Sequence, residues 1–115
     1  MSSSADVVGE RRGEQVIAHV RGEIDASNVR WVGAHLRALL NNRSEALTVD
    51  LSRTTYLDSA GIALLFDLAA ELPVRRQHLR IVVADGSPVA RVVSLTGLTD
   101  VVEIHPTLDA ALSAH

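Results

Sequence analysis

Two hydrophobic periods alternate along this chain, and that alternation constrains the fold more tightly than any single motif. Residues 15–22 repeat every second position, with Val16, Ala18 and Val20 on one face and Ile17, His19 and Arg21 on the other. That is the pattern of a strand with two different sides. Residues 6–10 form a short strand before it, and the turn signal around Arg12-Gly13 joins the two as a hairpin. The period then changes to 3.6. Val29, Val32, Leu36, Leu39 and Leu40 make the stripe of a half-buried helix, capped by Asp25 or Ser27 and stopped near Asn41-Asn42.

Residues 46–52 return to strand, and residues 54–57 read as loop. A second helix starts at Asp58, with Ile62, Leu65, Phe66, Ala69 and Leu72 as its buried stripe and Pro73 closing it. Leu64 and Leu68 lie off that stripe and read as core rather than as a patch for a partner. Residues 79–84 are apolar enough for a central strand covered on both faces. Ser87 then caps a third helix with Pro88 at its first position, Val89, Val92, Val93 and Leu95 inward, and Gly97 at its end. Residues 101–104 form a last short strand, and Thr107 caps a closing helix through Leu108, Ala111 and Leu112.

A hairpin followed by alternating helix and strand implies right-handed crossovers. The expected class is therefore α/β, a mixed, largely parallel sheet with an N-terminal hairpin and about four helices packed on it. All 115 residues fit one domain, with residues 1–5 expected to be flexible. In such sheets functional loops gather at the carboxyl ends of the strands, and residues 54–61 form a loop of that kind leading into a helix start.

Composition closes several routes. All eleven basic residues are Arg, so the chain lacks the Lys that a P-loop, a Schiff base or a phosphoacceptor receiver domain requires. No Cys is present, which removes disulfides, thiol nucleophiles and Cys-based zinc sites. The five His residues (His19, His35, His78, His105 and His115) have no metal-ligand spacing, and no Gly-x-Ser-x-Gly elbow occurs. Neither an enzyme active site nor a metal nor a cofactor is expected. A net charge of −3 argues against direct nucleic-acid binding. No apolar stretch approaches the ~18 residues of a membrane span, and residues 1–5 do not resemble a signal peptide. A cytoplasmic location without membrane insertion fits best.

One short run carries candidate chemistry, Asp58-Ser59-Ala60-Gly61. With Asp58 as N-cap, Ser59 holds the first helical position, where backbone N–H groups lack helical partners and the helix dipole is positive. A phosphate on Ser59 would gain about 0.3–1 kcal/mol from such donors and add about −1.5 to −2 charge beside Asp58. Gly61 would let a partner's backbone or a nucleotide approach closely. The bland reading of these four residues is an ordinary cap, and Asp50 and Asp58 read as a polar strand position and a cap rather than as a catalytic pair.

The order of motifs says more than that run alone. Leu47-Thr48-Val49-Asp50-Leu51-Ser52 followed by Tyr56-Leu57-Asp58-Ser59-Ala60-Gly61-Ile62 resembles the STAS domain, a family that includes bacterial anti-sigma factor antagonists. Gly22-Glu23-Ile24-Asp25, Leu95-Thr96-Gly97-Leu98 and the closing Thr107-Leu108-Asp109-Ala110-Ala111-Leu112 are similar to its other signatures, in the same order. Ala60 stands where many members carry a second Ser, and residues 73–78 lack a Gly often found before the next strand.

The resemblance implies partner switching. An anti-sigma factor with serine kinase activity binds the unphosphorylated antagonist and releases its sigma factor. Phosphorylation of the motif serine, matched by Ser59, breaks that binding, and a serine phosphatase restores it. Asp25, Asp58, Ser59, Gly61 and Ile62 match positions at or near the contact surface. The alternative within the same family is a STAS subunit of a membrane transport or signalling assembly that acts by docking, without a switch. The last helix ends the chain with no membrane span after it, which favours a free-standing protein.

Overall fold

The computed structural model describes residues 4–114, in which the alternating periods become a sheet of strand order β1-β2-β3-β4-β5. In chain order the elements are β1 (Ala5–Arg12), β2 (Gln15–Ile24), α1 (Val29–Ala38), β3 (Ala46–Leu57), α2 (Ser59–Val74), β4 (His78–Val82), α3 (Pro88–Leu95), a 3-10 turn (Leu98–Asp100), β5 (Glu103–His105) and α4 (Leu108–Ser113). The first pair is an antiparallel hairpin and the remaining pairs are parallel. The expected class, a mixed α/β sheet with four helices among the described residues, is the observed one.

Several boundaries move, each for a local reason. Residues 54–57, expected as loop, are the end of a twelve-residue β3. They find partners because β2 also runs past Gly22: Gly22 pairs with Thr54, Glu23 with Tyr56 and Ile24 with Leu57. The Thr54 hydroxyl fixes the extension by donating to the Val20 carbonyl at 2.9 Å. Gly22 itself has φ +93°, and the Ser4 carbonyl lies 2.0 Å from where a Cβ would stand. That contact ties the chain start to the sheet, since the same carbonyl accepts from Glu23 N at 3.1 Å. Ser4 is therefore bonded and Ala5 is a buried strand residue, whereas both were expected in a flexible tail; residues 1–3 lie outside the described residues.

Helix α1 starts at Val29 with Asn28 as N-cap, in place of Asp25 or Ser27. Pro73 lies inside the last turn of α2 and does not close it; the turn ends at Arg75 and Arg76, both exposed, the latter at φ 59°. Leu95 and Val101 are 77% and 55% exposed, because α3 turns only Val89 and Val93 fully inward and β5 does not begin until Glu103. Ser87, Thr107 and Asp58 cap their helices as expected, accepting from Ala90 N, Ala110 N, and both Ala60 N and Gly61 N.

The main core lies on one face. Val16, Ala18 and Val20 from β2, Leu47, Val49 and Leu51 from β3, and Leu79 and Ile81 from β4 pack with α1, α2 and α3 in one cluster. Leu64 and Leu68 belong to it, so α2 is buried on the side toward α1 as well as toward the sheet. Leu65, Leu68 and Leu72 are each at most 1% exposed, and burial of a Leu contributes about 1.5–3 kcal/mol. This burial, rather than intrinsic propensity, anchors α2 and hence the exposed Ser59 at its start. The opposite face is thinner and more polar, with Ile17, Ala46, Thr48, Val82 and Ala111 buried outside the main cluster.

Candidate functional site

Strands β2 and β3 end side by side, and two short loops leave them for α1 and α2. Asp58 takes an extended backbone (φ −95°, ψ −172°), which aims its carboxylate back at the helix it precedes. Its Oδ1 accepts from Ala60 N at 2.9 Å and from Gly61 N at 3.1 Å. Its Oδ2 crosses to the other loop and accepts from Ala26 N at 3.2 Å. Its own N–H donates to the Ile24 carbonyl at 3.2 Å. One carboxylate thus caps α2 and joins it to the loop that carries Asp25.

Asp25 stabilises that loop from within. Its Oδ1 accepts from Ser27 N at 2.9 Å and from the Ser27 hydroxyl. The Ser27 hydroxyl and then the Ser27 backbone hold the Asp25 carboxyl below the usual aspartate range. Asn28, buried, completes the turn: its side-chain amide donates to the Glu23 carbonyl at 2.8 Å and its Oδ1 accepts from Asp25 N at 3.0 Å.

Ser59 sits exposed at the first position of α2. The donors around it are mostly spent. Ala60 and Gly61 serve Asp58 Oδ1, and Ile62 N already bonds the Asp58 carbonyl at 3.0 Å. Among the described residues only the Ser59 N–H of this first turn is left without a partner. A phosphate on Ser59 would therefore meet one backbone donor and a neighbouring carboxylate, not the set of free donors that a bare helix start offers. It would remain a surface charge.

The structure brings Asp25, Asp58 and Ser59 to one surface, while Gly61 and Ile62 lie beneath it. Gly61 is buried, and a Cβ there would stand 2.4 Å from Leu57 Cδ1 and 3.2 Å from Ile24 Cγ2. The expected open approach to a partner's backbone is not available; the missing side chain makes room for Leu57. Ile62 is 8% exposed and part of the main core. Asp50 and Asp58 form no pair, since Asp50 Oδ2 lies 2.9 Å from His19 Nδ1 and its Oδ1 accepts from Ser52 N at 3.0 Å.

Asn28 is the site residue that sequence reasoning missed, although Asn directly before Val29, the first residue of the apolar stripe, was an available cap signal. His19 was also missed as a cross-strand link: its other nitrogen lies 3.0 Å from Glu10 Oε1, joining β1, β2 and β3 on the thin face. Glu10 chiefly, with a further contribution from Asp50, raises the His19 pKa against the opposing effect of burial.

Comparison with known proteins fits this geometry. The family described as "Mlab, STAS domain" matches residues 8–104. The anti-sigma-F factor antagonist RsfA of Mycobacterium tuberculosis is 36% identical over 101 residues, covering 86% of this chain and 78% of that protein. The crystal structure of an anti-sigma factor antagonist from Mycobacterium paratuberculosis superposes with a TM-score of 0.86 at 27% identity, over 96% of this chain and 92% of that one. The Bacillus cell fate determinant SpoIIAA in its phosphorylated form shares the fold at a TM-score of 0.64 and 22% identity, over 93% and 96% of the two chains. With a family match across most of its length and relatives that are anti-sigma factor antagonists, this chain belongs to the STAS domain family.

Proposed function

We propose that the protein is an anti-sigma factor antagonist switched at Ser59. Unphosphorylated, it binds an anti-sigma factor that carries serine kinase activity and so frees the sigma factor. Phosphorylation of Ser59 by that partner ends the binding, and a serine phosphatase resets it. The protein is the substrate of this cycle and catalyses none of it, acting in the cytoplasm without membrane insertion or direct contact with nucleic acid.

The observation that carries this reading is the exposed Ser59 beside an already occupied cap. Because Asp58 holds the Ala60 and Gly61 donors, an added phosphate is not absorbed into the helix start. Its charge stays on the surface next to Asp58, so its effect falls on whatever partner is apposed there. Like charges brought together at an interface cost several kcal/mol, enough for a switch. Asp25 would join Ser59 at the contact, with Gly61 and Ile62 supporting it from below.

The test is direct. The protein is incubated with candidate anti-sigma kinases and ATP, and the modified residue is mapped by mass spectrometry. Phosphate on Ser59 alone in this motif is the expected result, since Ala60 offers no second hydroxyl. Modification elsewhere, or equal partner binding by wild type and Ser59→Asp, would favour a docking subunit without a switch.

A further inference from the structure

The thin face of the sheet holds a charge that the Ser59 site does not use. Ile17, Thr48, Arg80 and Glu103 occupy one register row across β2, β3, β4 and β5. Arg80 is only 8% exposed, yet its guanidinium is poorly served. Nη1 reaches Gln15 Oε1 and Nη2 reaches the Ala114 carbonyl, each at 3.4 Å, while Glu103 Oε2 stands 3.8 Å from Nε. Glu103 also divides its charge, because its Oε1 lies 3.3 Å from His105 Nε2. Among the described residues Nε makes no hydrogen bond, and neither does the hydroxyl of Thr48, fully buried beside it in the same row.

Arg does not shed its proton, so a buried guanidinium with five donors and two long bonds is costly unless something completes it. The same side chain lines a pocket of about 380 Å³ between the strand starts and α4, with Gln15, Ala114, His78 and Glu45 around it. We propose that Arg80 anchors a binding site in this pocket for a small molecule bearing a carboxylate. The planar fork of the guanidinium matches a carboxylate through two parallel N–H···O bonds, which would replace the long contacts to Gln15 and Ala114. Glu45 at the pocket wall and Glu103 beside Nε set two negative charges against the one of Arg80, which suits a monoanion better than a dianion and so a carboxylate over a phosphate. The pocket lies at the amino ends of β3 and β4, whereas Ser59 follows the carboxyl end of β3, so the proposal stands apart from the switch.

The experiment follows the Arg80 Nε–Hε resonance by NMR while sodium acetate is titrated against sodium chloride at equal ionic strength. A saturable acetate shift in the millimolar range is expected at Arg80 Nε and at the Leu112 and Ala114 amides, lost in Arg80→Met. Glu45→Gln should tighten acetate binding about threefold, the effect of removing one like charge near the anion. Acetate shifts no larger than those of chloride would overturn the proposal, as would the same saturable shift in Arg80→Met. Inorganic phosphate binding as tightly as acetate would overturn the carboxylate assignment. Should Arg80→Met fail to fold, the wild-type titration still decides.

Discussion

The two loops that meet beside Ser59 are held in opposite ways. The loop before α1 closes on Asn28, a buried neutral amide that leaves its own helix uncapped and turns back to Glu23 and Asp25. The loop before α2 closes on Asp58, a charged carboxylate that caps its helix and reaches across to Ala26. A new negative charge on Ser59 therefore stands on the surface beside the second closure, whose donors Asp58 already holds. One loop is a fixed support. The other is the one that a modification at Ser59 addresses.

The contrast predicts an order of effects. Asn28→Ala strips the partners from the Glu23 carbonyl and the Asp25 N–H inside a packed turn, at a cost of about 2–3 kcal/mol by chemical denaturation. A loss typical of an exposed alanine substitution would remove Asn28 from its supporting role. Asp58→Ala is expected to cost about 1–2 kcal/mol as a lost cap and to speed amide exchange at Ala26, Ala60 and Gly61. Unchanged exchange at Ala26 would break the link between the loops. Ser59→Ala, which removes no hydrogen bond seen among the described residues, should stay within about 0.5 kcal/mol.

A pH titration sharpens the comparison within the first loop. Hydrogen bonds from the Ser27 hydroxyl and backbone depress the Asp25 carboxyl in the folded state. A depressed folded value gives stability that is complete above the unfolded aspartate value of about 3.9 and is lost as pH falls through the folded value. The Ser27 amide should therefore titrate with a midpoint below that of aspartate in a short peptide. A midpoint at or above the peptide value would mean that Asp25 does not organise the turn.

Much of this was legible before any coordinates. The period changes, with turn signals and short apolar runs, located the five strands and four helices though not the 3-10 turn at Leu98–Asp100. Asp58, Ser87 and Thr107 were readable as caps because each is followed by an apolar helical stripe. The errors have one physical source. Thr54 and Tyr56 were assigned to a loop although both suit strands, because the continuation of β2 past Gly22 that pairs them is a long-range fact invisible in local sequence. Asp25 or Ser27 was read as the cap and Asn28, equally suited by residue type, was not considered; only the fold shows that Asp25 spends its oxygen on Ser27. Gly61 looked open because a glycine's neighbours do not appear in the chain; in the fold they are Leu57 and Ile24.

The central claim is that phosphate on Ser59 changes the surface and not the helix beneath it. The measurement is partner affinity by calorimetry for the unmodified and the Ser59-phosphorylated protein, with amide exchange at Ala60 and Gly61 recorded on the same samples. The expected result is a loss of affinity on the order of a hundredfold with both amides still protected by Asp58. Equal affinity for the two forms, or loss of affinity only together with loss of protection at Ala60 and Gly61, would contradict it.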